Sequence, residues 1–247
     1  MPQLMGIINL TPDSFWEPSR YPSARTAFDS ILQMKADGAS IADIGAVSSR
    51  PGAEEISEEQ EWQRLEPLLE ILGQHLQELP AISIDTTRSR IVCKVAGILN
   101  QFIVNDISAG DNDPEMLDTV ARFGLGYVAM HHRGTPRTMD ALTEYENGVV
   151  EEVKAFFTEF AVKAQRAGIH NWILDPGFGF AKTGVQNMEL LEHLEELKTF
   201  GVPVLAGVSN KRFTRGREDE INRILSRKNV DIIRVHDVAA ARKIFCL

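Results

Sequence analysis

Cysteine is scarce: Cys93 and Cys246 are the only two in 247 residues, and neither sits in a CxxC or in a spacing that would cage a metal. A disulfide scaffold and a zinc ribbon are therefore excluded, and a reducing compartment fits. No apolar run approaches the ~20 residues of a bilayer span. The N-terminus lacks a basic region followed by a hydrophobic core and a small-residue cleavage site. The expectation is a cytoplasmic protein that makes no membrane contact. Positive charge is also short, with 26 Lys and Arg against 35 Asp and Glu, a net charge of −9. Such a surface repels a polyanion, so nucleic acid is not an expected partner. A Walker loop, GxGxxG, GxSxG and HExxH are all missing, which removes several common enzyme classes. No Pro-, Gly- or Ser-rich linker divides the chain and no repeat recurs, so residues 1–247 read as one domain.

What is present is a regular alternation of short β-branched runs with longer amphipathic stretches. Strands are predicted near Leu4 to Asn9, Ser40 to Ile44, Ala81 to Asp85, Phe102 to Asp106, Tyr127 to His131, Trp172 to Asp175, Val202 to Val208 and Ile232 to His236. Eight such runs, each followed by a helix signal, match an α/β (β/α)8 TIM barrel; a doubly wound open sheet is the runner-up. Ser57 and Gln60 form a capping box ahead of an apolar stripe that contains Pro67, a residue expected to bend its helix. Asn187 is placed as the cap of a helix carrying Leu190, Leu191, Leu194 and Leu197, and the longest helix is predicted over 146–165.

In a parallel barrel, polar residues at the C-terminal ends of strands point into the ring of loops where chemistry occurs. Here those ends supply Asn9, Asp43, Asp85, Asn105 with Asp106, His131, Asp175, and Arg234 with His236. The seventh strand ends instead in Gly207 and Ser209, with Lys211 close behind. Asp43 and Asp106 read equally well as turn caps. Asp85, Asn105 and Asp175 suit a flat heterocycle with several N–H donors and a carbonyl, either a nucleotide-like base or a pterin. Arg50, Lys211 and Arg234 around one mouth imply an anion such as a phosphate. The loop from Thr11 to Phe15 reads as a mobile lid, and Asn9 can offer an amide oxygen to Mg²⁺ carried by a diphosphate.

Longer strings then carry a resemblance. They are 5–15 (MGIINLTPDSF), 43–53 (DIGAVSSRPGA), 83–86 (SIDT), 104–108 (VNDIS), 174–180 (LDPGFGF) and 233–238 (IRVHDV), in order over nearly the whole chain. Together they resemble the dihydropteroate synthase family. The resemblance implies condensation of 6-hydroxymethyl-7,8-dihydropterin diphosphate with 4-aminobenzoate, giving 7,8-dihydropteroate and pyrophosphate in folate synthesis. It implies that Asp85, Asn105, Asp175 and Lys211 hold the pterin. Asn9, Arg50, Arg234 and His236 would handle Mg²⁺ and the diphosphate, with Asn9 as the metal ligand, and Ser49, Pro51, Phe180 and Ser209 would border the aminobenzoate. Arg50, Asp85, Asp175, Lys211, Arg234 and His236 form the expected catalytic set, and a homodimer is expected from the family. Two departures stand out: Trp16, Glu17 and Pro18 stiffen the first loop, and the stretch between Phe213 and Asp231 is short and highly charged. The second implies a trimmed last βα unit. A methylfolate-using methyltransferase and a non-catalytic pterin binder are the alternatives.

Overall fold

The computed structural model describes residues 1–11, 23–48, 55–209 and 211–245. Its elements alternate strictly: β1 Gln3–Asn9, α1 Ala24–Ala36, β2 Ala39–Gly45, α2 Glu58–Gln74, β3 Ala81–Asp85, α3 Ser89–Ala96, β4 Ile103–Asp106, α4 Met116–Phe123. The second half continues with β5 Gly126–Met130, α5 Val149–Ala167, β6 Trp172–Asp175, α6 Gly184–Glu192, β7 Leu205–Ala206, α7 Glu218–Arg227, β8 Ile232–Val235 and α8 Val238–Phe245. All strand pairs are parallel, in the order β6-β5-β4-β3-β2-β1-β8-β7. The ring closes through one bridge, Leu174 with Val204, where Leu174 N donates to Pro203 O at 2.9 Å. The architecture is therefore a nearly closed (β/α)8 barrel, as the alternation predicts, with its weakest seam between β6 and β7. Among the described residues no helix is long and apolar enough to cross a membrane.

The expected trimming of the last unit is corrected. Strand β8 pairs with β1 from Gln3↔Ile232 to Gly6↔Val235, and α8 follows it. The charged stretch forms α7, where Ile221 and Leu225 are buried and Ile224 packs beside them, a stripe at i, i+3 and i+4 that is enough to seat one helix. What is short is β7, two residues where seven were expected. Pro203 has no N–H to add to the ladder, and Asp231 instead pins this edge: Val204 N donates to its Oδ2 at 2.7 Å while Lys198 Nζ reaches both carboxylate oxygens at 2.7 Å.

Local signals behave as their chemistry requires, with one exception. Gln60 N donates to Ser57 Oγ at 3.1 Å and Ser57 N to Gln60 Oε1 at 2.8 Å, which completes the capping box; Pro67 lies within α2 without ending it. The expected cap at Asn187 is wrong. Thr183 caps α6 through a second box with Gln186, and Asn187 turns inward from the first turn. Its Oδ1 accepts from Gly179 N at 2.7 Å and its Nδ2 donates to Thr183 O at 2.7 Å, so it ties down the loop before the helix.

The period of two along each strand sorts the barrel interior into layers. Met5, Ile41, Ile103, Val128, Ile173, Leu205 and Ile232 pack together as an apolar plug. Two residues further along the same strands come Ile7, Asp43, Asn105, Met130, Asp175, Gly207 and Arg234, and beyond them Asn9, Gly45, Ser209 and His236. One step of the pleat thus turns an oily floor into a polar bowl at the C-terminal face.

Candidate active site

Above the plug lies a cavity of about 1000 Å³. Seven sequence-predicted residues line it: Asn9, Asp85, Phe180, Ser209, Lys211, Arg234 and His236. Asn105 and Asp175 are nearly fully buried and do not line it. Ser49, Arg50 and Pro51, like the loop from Pro12 to Phe15, lie outside the described residues.

A buried carboxylate that was read equally well as a turn cap organises the bowl. Asp43 accepts Ser83 Oγ at 2.7 Å on one oxygen. Its other oxygen takes Asn105 Nδ2 at 2.9 Å and Arg234 Nη1 at 3.2 Å. Asp106, by contrast, is the turn-holding residue it was read as an alternative to be, accepting Ser108 N at 2.7 Å, Gly110 N at 2.9 Å and the Tyr127 hydroxyl at 2.7 Å. Both occupy strand-end positions, but Asp43 lies on the inward side of its strand and Asp106 on the outward side. Glycine makes room for the cation: a Cβ on Gly207 would sit 3.2 Å from Arg234 Nε.

Electrostatics in the bowl follow from burial beside mixed charges. Burial pushes the Asp85 carboxyl up to about 8, with Asp43, Glu61 and Asp106 adding repulsion and Arg234 opposing. Asp175 is also raised by burial, against the pull of Arg234, the Gly177 amide, Lys211 and Lys182. Burial works against the Arg234 charge, but Asp43, Asp175 and Asp85 more than offset it and its pKa rises. One fixed cation therefore stands among three carboxyl groups, and burial raises two of them, Asp85 and Asp175.

The loop after β6 forms the opposite wall. Gly177 has φ +68°, and a Cβ there would fall 2.0 Å from His131 O, so only glycine lets this turn pack against the end of β5. Lys182, which was not anticipated, donates from Nζ to Gly177 O at 3.0 Å and Phe180 O at 3.1 Å and lies 2.9 Å from His131 Nδ1. Burial pushes this lysine down to about 7 and holds His131 well below the usual imidazole range. The staple fixes Phe180, over whose ring the Lys211 ammonium sits at 4.6 Å. Facing them, Ser209 Oγ and His236 Nδ1 are 3.1 Å apart. The arrangement offers a flat slot between acids and a cation, with an aromatic ring at one side.

The family described as pterin binding enzyme matches residues 5–241. The dihydropteroate synthase of Synechocystis sp. is 39% identical, across 98% of this chain and 87% of its own length. The chain belongs to the dihydropteroate synthase family. A second family member, from Haemophilus influenzae, is 38% identical over 97% of this chain and 90% of its own. Among solved structures, the Yersinia pestis dihydropteroate synthase with a sulfonamide drug complex superposes with TM-score 0.91 at 33% identity, covering 99% of this chain and 92% of that one. The Xanthomonas albilineans dihydropteroate synthase with 4-aminobenzoic acid gives TM-score 0.86 at 34% identity, with 99% and 91% coverage. Family membership over nearly the whole chain disfavours the methyltransferase and the non-catalytic alternatives.

Asp43 and Lys182 are the two residues of this family site that sequence reasoning undervalued. A signal existed for the first, since Asp43 and Ser83 are polar residues placed inside otherwise apolar strands and paired in register. Lys182 gave none, because its burial depends on His131, 51 residues earlier.

Proposed function

We propose that the cavity condenses 6-hydroxymethyl-7,8-dihydropterin diphosphate with 4-aminobenzoate, releasing pyrophosphate. The observation that carries this reading is the convergence of Asp85, Lys211, Arg234 and His236 on one cavity at the C-terminal face, with Asn105 and Asp175 buried in the same inward layer as Arg234. The acids and the amide suit the donors of a pterin ring, and the cations suit its diphosphate tail.

In the reaction, the bond between the exocyclic methylene carbon and the diphosphate oxygen breaks, and both electrons leave with the diphosphate. The pterin ring spreads the positive charge left on carbon. The arylamine lone pair then forms the new C–N bond, and the surplus proton passes to water or to pyrophosphate. Asp85 and Asp175 turn their carboxyl oxygens to that developing cation in a site shielded from water, while Arg234 meets the charge on the leaving group. No covalent nucleophile is required. Phe180 and Ser209 border the arylamine, and Arg50, Ser49 and Pro51 are assigned beside the diphosphate and the aminobenzoate on their resemblance alone.

Magnesium fits the donor set as a passenger on the diphosphate. Among the described residues no cluster of three acids, histidines or cysteines could cage an ion, whereas the Asn9 amide lines the cavity. A hard cation that keeps its waters and leans on phosphate oxygens needs little more from the protein. Bound there, Mg²⁺ supplies charge neutralisation for the departing pyrophosphate. The test is a coupled assay with both substrates and Mg²⁺; folded protein that yields no dihydropteroate above background refutes the assignment.

A further inference from the structure

Asp43 is only 2% exposed, yet its carboxylate is saturated by three partners from three different strands: Ser83 on β3, Asn105 on β4 and Arg234 on β8. Two of those three are residues to which the proposed function gives the ring and the diphosphate. We propose that Asp43 is a positioning residue for the ring subsite, holding Arg234 against the cavity wall and locking the Asn105 amide in a single orientation.

The second half of the proposal follows from hydrogen-bond chemistry. A carboxylate only accepts, so the Asn105 group facing Asp43 must be its NH2, and the amide oxygen is turned the other way. Without a pure acceptor at that place, the Asn105 amide can rotate by half a turn at little cost, and the pattern of donor and acceptor offered to the ring is no longer unique. The Arg234 guanidinium also loses its hydrogen bond to the Asp43 carboxylate and keeps the longer-range attraction of Asp85 and Asp175. Both losses act on the pterin half of the reaction. The aminobenzoate side is assigned to Phe180 and Ser209, and none of the three hydrogen bonds of Asp43 goes to either.

The inference rests on the cavity being a pterin site, so the experiment separates the two. Asp43→Asn keeps the shape and removes the pure acceptor. Its KM for the pterin diphosphate is expected to rise tenfold or more, while KM for 4-aminobenzoate stays within twofold and thermal melting shows a folded protein. A folded variant with both KM values unchanged overturns the proposal, as does a parallel rise in both. A second measurement uses the unaltered protein, so no folding defect can obscure it: in ¹⁵N NMR the side-chain amide protons of Asn105 should exchange slowly with solvent in the absence of ligand. Exchange of both protons at the rate of a free amide overturns the lock. If the unaltered protein binds no pterin at all, the functional reading falls, and the NMR result still decides whether Asp43 holds Asn105.

Discussion

Replacing Asp85 with Asn removes the carboxyl whose ionisation the fold resists most visibly. In the folded protein burial pushes it up to about 8, with Asp43 adding like-charge repulsion, whereas its ordinary value is 3.8. The folded state therefore keeps a proton that the unfolded chain releases. The stability that goes with this proton is complete below 3.8 and is lost progressively as pH rises toward 8. Each pH unit inside that window costs about 1.4 kcal/mol for one linked proton. Moving from about pH 5 to about pH 7 should destabilise the wild type by about 3 kcal/mol relative to Asp85→Asn. For a chain of this size that is a difference of about 6–12 °C in Tm. Glu61, Asp106 and Asp175 are raised as well and titrate in both proteins, so comparing the two melting curves isolates Asp85. The assay is thermal unfolding at half-unit pH steps, alongside turnover. The variant should gain on the wild type in stability as pH rises while losing activity at every pH. A Tm difference that stays flat from pH 5 to pH 8 refutes the argument that burial strains this carboxylate.

Three further outcomes follow from the packing. Gly207→Ala places a Cβ 3.2 Å from Arg234 Nε and must push the guanidinium aside; KM for the pterin diphosphate should rise about five-fold, equivalent to ~1 kcal/mol, with Tm little changed. Gly177→Ala combines a positive φ with a Cβ 2.0 Å from His131 O, so chemical denaturation should reveal a loss on the order of 3 kcal/mol, and a variant as stable as the wild type would show that this turn can move. Ser57→Ala breaks the α2 capping box at a residue that does not line the cavity; it should cost about 1 kcal/mol of stability and leave kcat unchanged.

These expectations mark how far local sequence reaches. The barrel was legible because each strand is a short apolar run, and because its inward residues change from the plug to polar groups after one pleat, as in Ile41 to Asp43, Ile103 to Asn105, Ile173 to Asp175 and Ile232 to Arg234. The cavity residues inherit that legibility, since a strand end and its parity suffice to place them. Asp43 and Asp106 show where it stops. Both are acids at strand ends before turns of small residues, and only register tells them apart: Asp43 lies opposite Ser83 inside the ring, while Asp106 meets the hydroxyl of Tyr127 on the helix side. The Asn187 misreading has a related cause. Thr183 with Gln186 and Asn187 alone are both valid helix starts by local chemistry, and the choice was made by Gly179, whose amide needed the Asn187 oxygen. Where a residue's role depends on a partner brought close by the closed ring, no local pattern can announce it. The charge network of this site is built from such partners, and for that reason the most informative substitutions here are at Asp43 and Gly207, which set the position of Arg234 from β2 and β7.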